Sequence, residues 1–207
     1  MTTNNLNNGQ IDSKSLIILS HFTVQLLVEL HKHKFLKSDY FKNMNFNDKF
    51  VQQHLPEYGI DNQGTLVMML YAMLVLPKEL WGTVNNENDS VNNKNDNEND
   101  YFVNGKLNKK RVNKELLKIV GEENIKCDGN YYPDDLLTHI RNAVAHGRIR
   151  ITPNESIHFI DENNNLKNKK SCTITISLKD IGKVFEILHN VFAEYIKYLK
   201  NEKNPIV

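Results

Sequence analysis

The sequence is poor in cysteine, which excludes a small protein held together mainly by disulfides. Only 2 cysteines occur in 207 residues, and Cys127 and Cys172 are too few for a disulfide scaffold and form no Cys-x-x-Cys pair. They favour a reducing compartment, so a cytoplasmic protein is expected. The first residues, MTTNNLNNGQ, also lack the charged and then apolar order of a signal peptide.

The sequence also lacks a strong excess of positive or negative charge, and it has no long apolar run. With a net charge of +1, the chain has no global attraction for nucleic acid, so phosphate binding would need a local cluster or a cleft between two subunits. The longest apolar stretch, about Leu66 to Leu76, is far shorter than the roughly 20 residues that span a bilayer. No membrane span is therefore expected. The sequence also contains no Gly-rich phosphate loop, nucleophile elbow or zinc-ligand spacing, so no cofactor and no metal are expected.

Helical spacing is what the sequence does contain. Hydrophobic residues make up 40%, enough for the core of one domain, and their periodicity predicts a mostly α fold. We expect a disordered tail over residues 1–12 and a single domain over residues 13–200. Helices are predicted at about 13–32, 38–54, 61–80 and 108–120. The second is expected to stop at Leu55, because Pro56 disfavours helix in the residue before it.

Two segments of this domain differ from ordinary amphipathic helices. The third predicted helix is apolar on nearly every side (TLVMMLYAMLVL), so it must be covered inside a bundle or at a subunit interface. Met68, Met69 and Met73 are predicted to be packing residues. Residues 83–100, TVNNENDSVNNKNDNEND, hold almost nothing to bury and are predicted to form a low-complexity surface loop. The basic residues of the fourth helix predict a solvated face, with phosphate contact as the alternative.

The segment RNAVAHGR, Arg141 to Arg148, combines reactive residue types with clear structural signals. A helix is predicted to open near Pro133, where a missing N–H does no harm, and to end at Gly147, which accepts a left-handed conformation. Extended segments at about 148–152 and 156–160 predict a β-hairpin after it. A third extended segment at about 172–176 and an amphipathic final helix, capped by Ser177, complete the chain.

Helical geometry limits what one copy of this segment can do. Asn142 and His146 lie one turn apart on the same face, whereas Arg141 is turned from His146 by about 140°, because five residues exceed one 3.6-residue turn. One chain is therefore not expected to bring Arg141 and His146 onto one phosphate, but two facing helices could. The structural alternative is that the histidine caps carbonyls and the arginine pairs with a carboxylate.

These residues resemble the motif of the HEPN superfamily, in which Arg is followed after four to six residues by His. Asn after the Arg and Ala-His-Gly at the end are frequent in that motif, and RNAVAHG has both. The hairpin and the final helix are similar to those of bacterial HEPN proteins of defence and toxin systems. The resemblance covers about residues 130–200, and the predicted N-terminal helices are compatible with it. It implies a HEPN-like helical bundle with a small β-hairpin after the motif helix, and a homodimer whose two motifs share a cleft.

The resemblance also implies an activity, that of a metal-independent endoribonuclease acting as a toxin or antiviral-defence effector. The implied catalytic residues are His146 for proton transfer, Arg141 for charge stabilisation, and Asn142 for orienting His146 or the phosphate. Arg148 would contact RNA phosphate. It stands where HEPN toxins controlled by a nucleotidyltransferase antitoxin often have Tyr, so modification of that Tyr is excluded here. RNA and an antitoxin or defence-system partner are the implied partners. The alternative is a non-catalytic HEPN dimer that binds RNA, a nucleotide or a partner protein.

Overall fold

A computed structural model describes residues 13–60, 62–79, 100–103, 106–128, 135–152, 155–163 and 170–201. This part of the chain is rich in helix and contains small antiparallel sheets. The α-helices are Ser13–Lys32 (α1), Asp39–Lys42 (α2), Lys49–Tyr58 (α3), Gln63–Leu70 (α4), Lys109–Val120 (α5), Leu136–Ala145 (α6) and Ile181–Asn201 (α7). The strands are Phe102–Val103 (β1), Lys106–Leu107 (β2), Ile125–Cys127 (β3), Ile149–Thr152 (β4), Ser156–Asn163 (β5) and Lys170–Ser177 (β6).

The N-terminal helices follow the prediction in part. The bounds of α1 are as predicted, but the second predicted helix is two, because Ser38 caps α2 and Asp48 caps α3 through side-chain oxygens. The expected end at Leu55 is wrong, since Pro56 lies inside α3. A proline near a helix C-terminus removes only one intrahelical hydrogen bond, and the N–H of Gly59 closes the helix on the Leu55 carbonyl at 2.9 Å.

The third predicted helix changes its winding along its length. It begins as α4, continues as a π-helical turn over Tyr71–Val75 and ends as a 3-10 turn over Leu76–Glu79. Met73 is buried and Met69 packs against the core, as predicted for packing residues. Met68 is 71% exposed, so that prediction is wrong for Met68 within this chain, because the outer side of α4 has no cover among the described residues.

The predicted hairpin is present and belongs to a larger sheet with the antiparallel strand order β3-β6-β5-β4. Ile149 pairs with Phe159 and Thr152 pairs with Ser156, whereas the expected turn at residues 153–154 lies outside the described residues. Side chains alternate between the two faces of a strand. On β5 the inward positions are Ile157, Phe159 and Asp161, which are all buried, so the sheet carries one carboxylate into the interior.

The core cluster contains residues of this sheet and of helices α5, α6 and α7, together with Ile17 and Val24 of α1 and Leu70, Met73 and Leu74 of the third predicted helix. The apolar stripe of α7 is buried from Val184 to Tyr195, although Ser177 ends β6 rather than capping the helix directly. No helix in the described ranges is both long and apolar enough to cross a membrane. The tail predicted over residues 1–12 and nearly all of the loop predicted over 83–100 fall outside those ranges.

Candidate functional site

The motif helix α6 ends as its sequence predicts. Its last residue is Ala145, His146 is the C-cap, and Gly147 has a φ of 65°. The N–H of Gly147 donates to the Val144 carbonyl at 3.1 Å, and the N–H of Arg148 donates to the Ala143 carbonyl at 2.8 Å. This pair of bonds is a Schellman motif, which satisfies carbonyls that the helix end leaves open. It fixes the position of the C-cap residue relative to the first residues of β4.

One turn earlier, α6 is joined to β5 by a series of side-chain hydrogen bonds that we call the α6–β5 polar chain. The Arg141 guanidinium donates to Oδ1 of Asn142 at 2.8 Å, and Nδ2 of Asn142 donates to Oδ2 of Asp161 at 3.1 Å. Nδ1 of His139 lies 2.7 Å from the same carboxylate oxygen. His139 is 4% exposed and Asp161 is 3% exposed. A buried carboxylate needs such donors. Asp161 thus holds Asn142 in place, and Asn142 in turn holds the Arg141 guanidinium.

The other two predicted site residues lie at the surface. His146 is exposed, and in the described part of the chain its imidazole makes no hydrogen bond. The guanidinium of Arg148 donates to the backbone carbonyl of Glu162 at 2.7 Å, which holds Arg148 against β5. The structure therefore brings Arg141 and Asn142 together but links neither of them to His146.

Two members of the polar chain, His139 and Asp161, were missed by the sequence analysis. Signals for both exist in the sequence. His139 stands three residues before Asn142, so the two share a helix face. Asp161 continues the inward alternation of Ile157 and Phe159, and a carboxylate at an inward position indicates a buried polar partner. The hairpin was expected to end at Ile160, one residue too early to show this.

The start of α6 is held by residues of the basic helix α5. Asp135 caps α6 by accepting from the N–H of Thr138, and Lys109 lies 3.5 Å from its carboxylate. Burial alone would raise the pKa of Asp135, but hydrogen bonds from Thr138 and Asn113 and the charge of Lys109 hold it below its ordinary value. Lys109 is therefore not part of a solvated face.

Of the other basic residues predicted on the solvated face of α5, one has partners within the chain and two are exposed. Arg111 is paired with Glu115 at 3.2 Å and stacked over the ring of Tyr101. Lys110 and Lys114 are exposed as predicted.

The two cysteines, whose pairing was not predicted, are joined by a disulfide between β3 and β6. Cys127 and Cys172 are direct neighbours in the register of these strands. On the other side of β6, the same Cys172 pairs in register with Asp161 on β5. The disulfide therefore lies beside the buried end of the α6–β5 polar chain.

Comparison with known proteins gives one match, to a family model described as HEPN pEK499 p136, over residues 1–199. No curated protein matches the chain. No solved structure matches it either. The family match spans the N-terminal helices, the motif helix, the sheet and nearly all of α7. The resemblance first indicated by RNAVAHG thus extends over almost the whole sequence, and the chain belongs to the HEPN superfamily, in the family described as HEPN pEK499 p136.

Proposed function

We propose that this protein is a metal-independent endoribonuclease with a HEPN-like helical bundle, acting as a toxin or antiviral-defence effector. Membership of the HEPN superfamily supports an RNase or nucleotide-binding role. The main support for endoribonuclease activity in particular is the arrangement of side chains at the end of α6. An exposed histidine at the C-cap follows an arginine that Asn142 and Asp161 fix in place.

In the proposed reaction the RNA supplies its own nucleophile. His146 removes the proton of the 2′-hydroxyl, and the 2′-oxygen forms a bond to phosphorus while the bond from phosphorus to the 5′-oxygen breaks. The leaving 5′-oxygen takes up a proton, so the products are a 2′,3′-cyclic phosphate and a 5′-hydroxyl. Arg141 stabilises the added negative charge on the phosphoryl oxygens. Histidine suits the proton transfers because it changes charge near neutral pH.

The hydrogen bonds support a role for Asn142 that differs from the one implied by the motif. Its amide oxygen accepts from Arg141 and its amide nitrogen donates to Asp161, so both ends of the amide are engaged. Asn142 is therefore proposed to position Arg141 rather than His146. Asp161 acts through Asn142 and is also a positioning residue. The guanidinium of Arg148 is proposed to contact RNA phosphate while it also donates to the Glu162 carbonyl.

A homodimer is part of the proposal, because Arg141 and His146 are not joined within one chain. A two-fold interface needs a self-complementary apolar patch. The sequence suggests two candidates, the segment from about Leu66 to Leu76 and the final helix. The apolar stripe of the final helix is buried in the core, and in the other segment Leu70, Met73 and Leu74 are buried while Met68 is 71% exposed. Helix α1 offers a third: Leu19, Phe22 and Leu26 are 51%, 58% and 58% exposed. We call these three residues the α1 apolar face and propose that a second copy covers it. An antitoxin or another defence protein is a further proposed partner.

The alternative function is a non-catalytic HEPN dimer that binds RNA, a nucleotide or a protein, and it would use the same two arginines. Arg141 and Arg148 are both engaged in hydrogen bonds within the chain. A guanidinium has five N–H donors, so each arginine retains donors for a phosphate. Binding without cleavage would use the same residues but would not require His146 to transfer a proton.

RNA cleavage by the full chain in EDTA, without reductant, separates the two functions. Wild type is expected to give products with 2′,3′-cyclic phosphate ends, and a strand with 2′-deoxyribose at the cleaved position is expected to stay intact. His146→Ala should lower the rate by about 10²- to 10⁴-fold, the usual contribution of a general acid–base group.

The matched control is His33→Ala, because His33 is an exposed histidine at the end of α1 and far from the motif in sequence. It should cleave at the wild-type rate. A His146→Ala variant that makes the same products at the same rate would reject the catalytic assignment. Retained RNA binding with no cleavage by wild type would favour the alternative function.

A further inference from the structure

Outside the proposed RNA site, three metal-binding side chains meet in the interior. One ligand atom each from Cys127, His139 and Cys172 lies within 4.8 Å of the other two. They come from β3, α6 and β6, which is why no ligand spacing is visible in the sequence. In a tetrahedral zinc site with Zn–S bonds near 2.3 Å, two sulfurs stand about 3.8 Å apart. The three atoms are thus close enough to share one ion after small side-chain rotations.

The identity of the donors selects the type of ion. Two thiolates and an imidazole form a soft to borderline set that suits Zn²⁺ rather than Mg²⁺ or Ca²⁺. Two thiolates also neutralise the charge of a dication, which reduces the cost of burying it. Cys172 is fully buried and Cys127 is half-buried, so the open side of the cluster is at Cys127. A water molecule can complete four ligands there.

His139 has a carboxylate partner, as many metal-bound histidines do. Its Nδ1 lies 2.7 Å from the Asp161 carboxylate. This contact orients the imidazole ring with Nδ1 toward the Asp161 carboxylate. Metal-bound histidines usually donate their other ring N–H to a carboxylate, which fixes the ring and raises its basicity. Asp161 is a carboxylate partner of this kind for His139.

From these observations we propose that the reduced chain binds one Zn²⁺-class ion through Cys127, Cys172 and His139. The disulfide and the metal site are alternative states of the same two cysteines. A dithiol reductant transfers two electrons and two protons to the disulfide and becomes a disulfide itself. The two Cys thiols then lose two protons as thiolates bind the ion. The inference does not depend on the proposed RNA cleavage, because none of the three ligands belongs to the RNAVAHG motif.

The test is an anaerobic Co²⁺ titration of the untagged full chain, reduced with a phosphine. The phosphine becomes its oxide by taking oxygen from water and, unlike a dithiol, does not compete strongly for the metal. One Co²⁺ per chain is expected, with visible bands of tetrahedral intensity and a thiolate-to-cobalt charge-transfer band in the near ultraviolet. One equivalent of Zn²⁺ should abolish both. The oxidised chain should show no charge-transfer band.

Variants assign the ligands. Cys127→Ser, the least buried ligand change, should lose about half of the charge-transfer intensity, since one of two thiolates is removed. Asp161→Asn should bind about 10- to 100-fold more weakly, the usual effect of removing the partner of a ligand. The matched control is His158→Gln, which alters a β5 histidine bonded to Thr175 and should leave the titration unchanged. Circular dichroism checks that each variant is folded.

Two outcomes would overturn the proposal. One is a reduced, folded wild type that binds no Co²⁺ or binds it without a charge-transfer band. The other is a folded Cys127→Ser variant with the full wild-type band. RNA cleavage is measured separately on the oxidised chain, so failure of the metal site and failure of the ribonuclease proposal are distinguishable.

Discussion

The α6–β5 polar chain and the α1 apolar face satisfy opposite requirements. In the first, the buried His139 and Asp161 and the half-buried Asn142 and Arg141 are linked to one another by hydrogen bonds. In the second, large apolar side chains stay outside, each more than half exposed. The first arrangement is complete within one chain. The second has no cover in the described part of the chain, and exposed apolar patches commonly mark interaction surfaces. The comparison separates what one chain builds alone from what we propose a second copy adds.

The largest expected effect comes from breaking the polar chain at its centre. Asp161→Ala should lower the free energy of unfolding by about 3 kcal/mol, because it leaves His139 and Asn142 buried without their shared acceptor. Urea denaturation of the oxidised chain measures the change. The control is Glu162→Ala, whose exposed side chain points to the other face of β5 and should change the value by no more than about 0.5 kcal/mol. Equal effects of the two substitutions would show that the polar chain does not stabilise the fold.

A charge on the α1 apolar face should act on association and leave the fold intact. Phe22→Glu is expected to weaken the proposed dimer by at least about 30-fold, or roughly 2 kcal/mol, as for a central interface residue. Sedimentation velocity over a dilution series measures this. Phe50→Glu is the matched control, since Phe50 is 67% exposed on α3. A wild type that is monomeric throughout the series, or a dimer that Phe22→Glu does not weaken, would contradict the assigned interface.

The inner side of α1 offers a smaller, pH-dependent effect. His21 is 6% exposed, stacks on Phe192 with ring centroids 5.2 Å apart, and its Nδ1 has no hydrogen-bond partner among the described residues. Burial, and secondly the nearby His189, lowers the pKa of His21 below its ordinary value of 6.5. The unfolded chain therefore takes up a proton more readily than the folded one as pH falls below about 6.5, and stability is lost toward acid.

His21→Phe should reduce this loss between pH 7.5 and pH 5.5, measured as the free energy of unfolding at each pH. The control is His146→Gln, which alters an exposed histidine and, as a surface substitution, should change the free energy of unfolding by no more than about 0.5 kcal/mol. Parallel pH curves for wild type and His21→Phe would show that His21 does not carry the effect.

The smallest effect is expected from shortening the predicted loop. Deleting residues 84–97 should leave the melting temperature nearly unchanged, because this segment has almost no apolar side chains and loop length alters closure entropy only slightly. The deletion also leaves intact the contacts that hold the polypeptide just after the segment: the N–H of Tyr101 donates to Glu194 at 2.6 Å, and the Tyr101 hydroxyl donates to Glu115. Burial and this bond raise the pKa of Tyr101 to about 12. A large fall in melting temperature would show that the loop packs on the domain.

Features that depend on neighbouring residues could be predicted from the sequence. The bounds of α1, the end of α6 at Gly147 and the hairpin of β4 and β5 follow from side-chain periodicity, a left-handed glycine and alternation along a strand. The RNAVAHG motif is also local, and it gave the superfamily. The predicted end of the second helix at Leu55 was wrong, because α3 tolerates the loss of one hydrogen bond at Pro56 and continues to its C-cap at Gly59.

Only the tertiary structure decided which distant residues meet. Asp161 reaches His139 and Asn142 because β5 packs against α6, and Cys127 meets Cys172 because β3 and β6 pair in one register. A shift of one residue in either strand would turn these side chains to the opposite face. Register is set by the packing of the whole sheet, which no short stretch of sequence encodes. The sequence alone thus determined the motif and its helix, while the packing determined how Arg141 is held and which side chains gather at the proposed metal site.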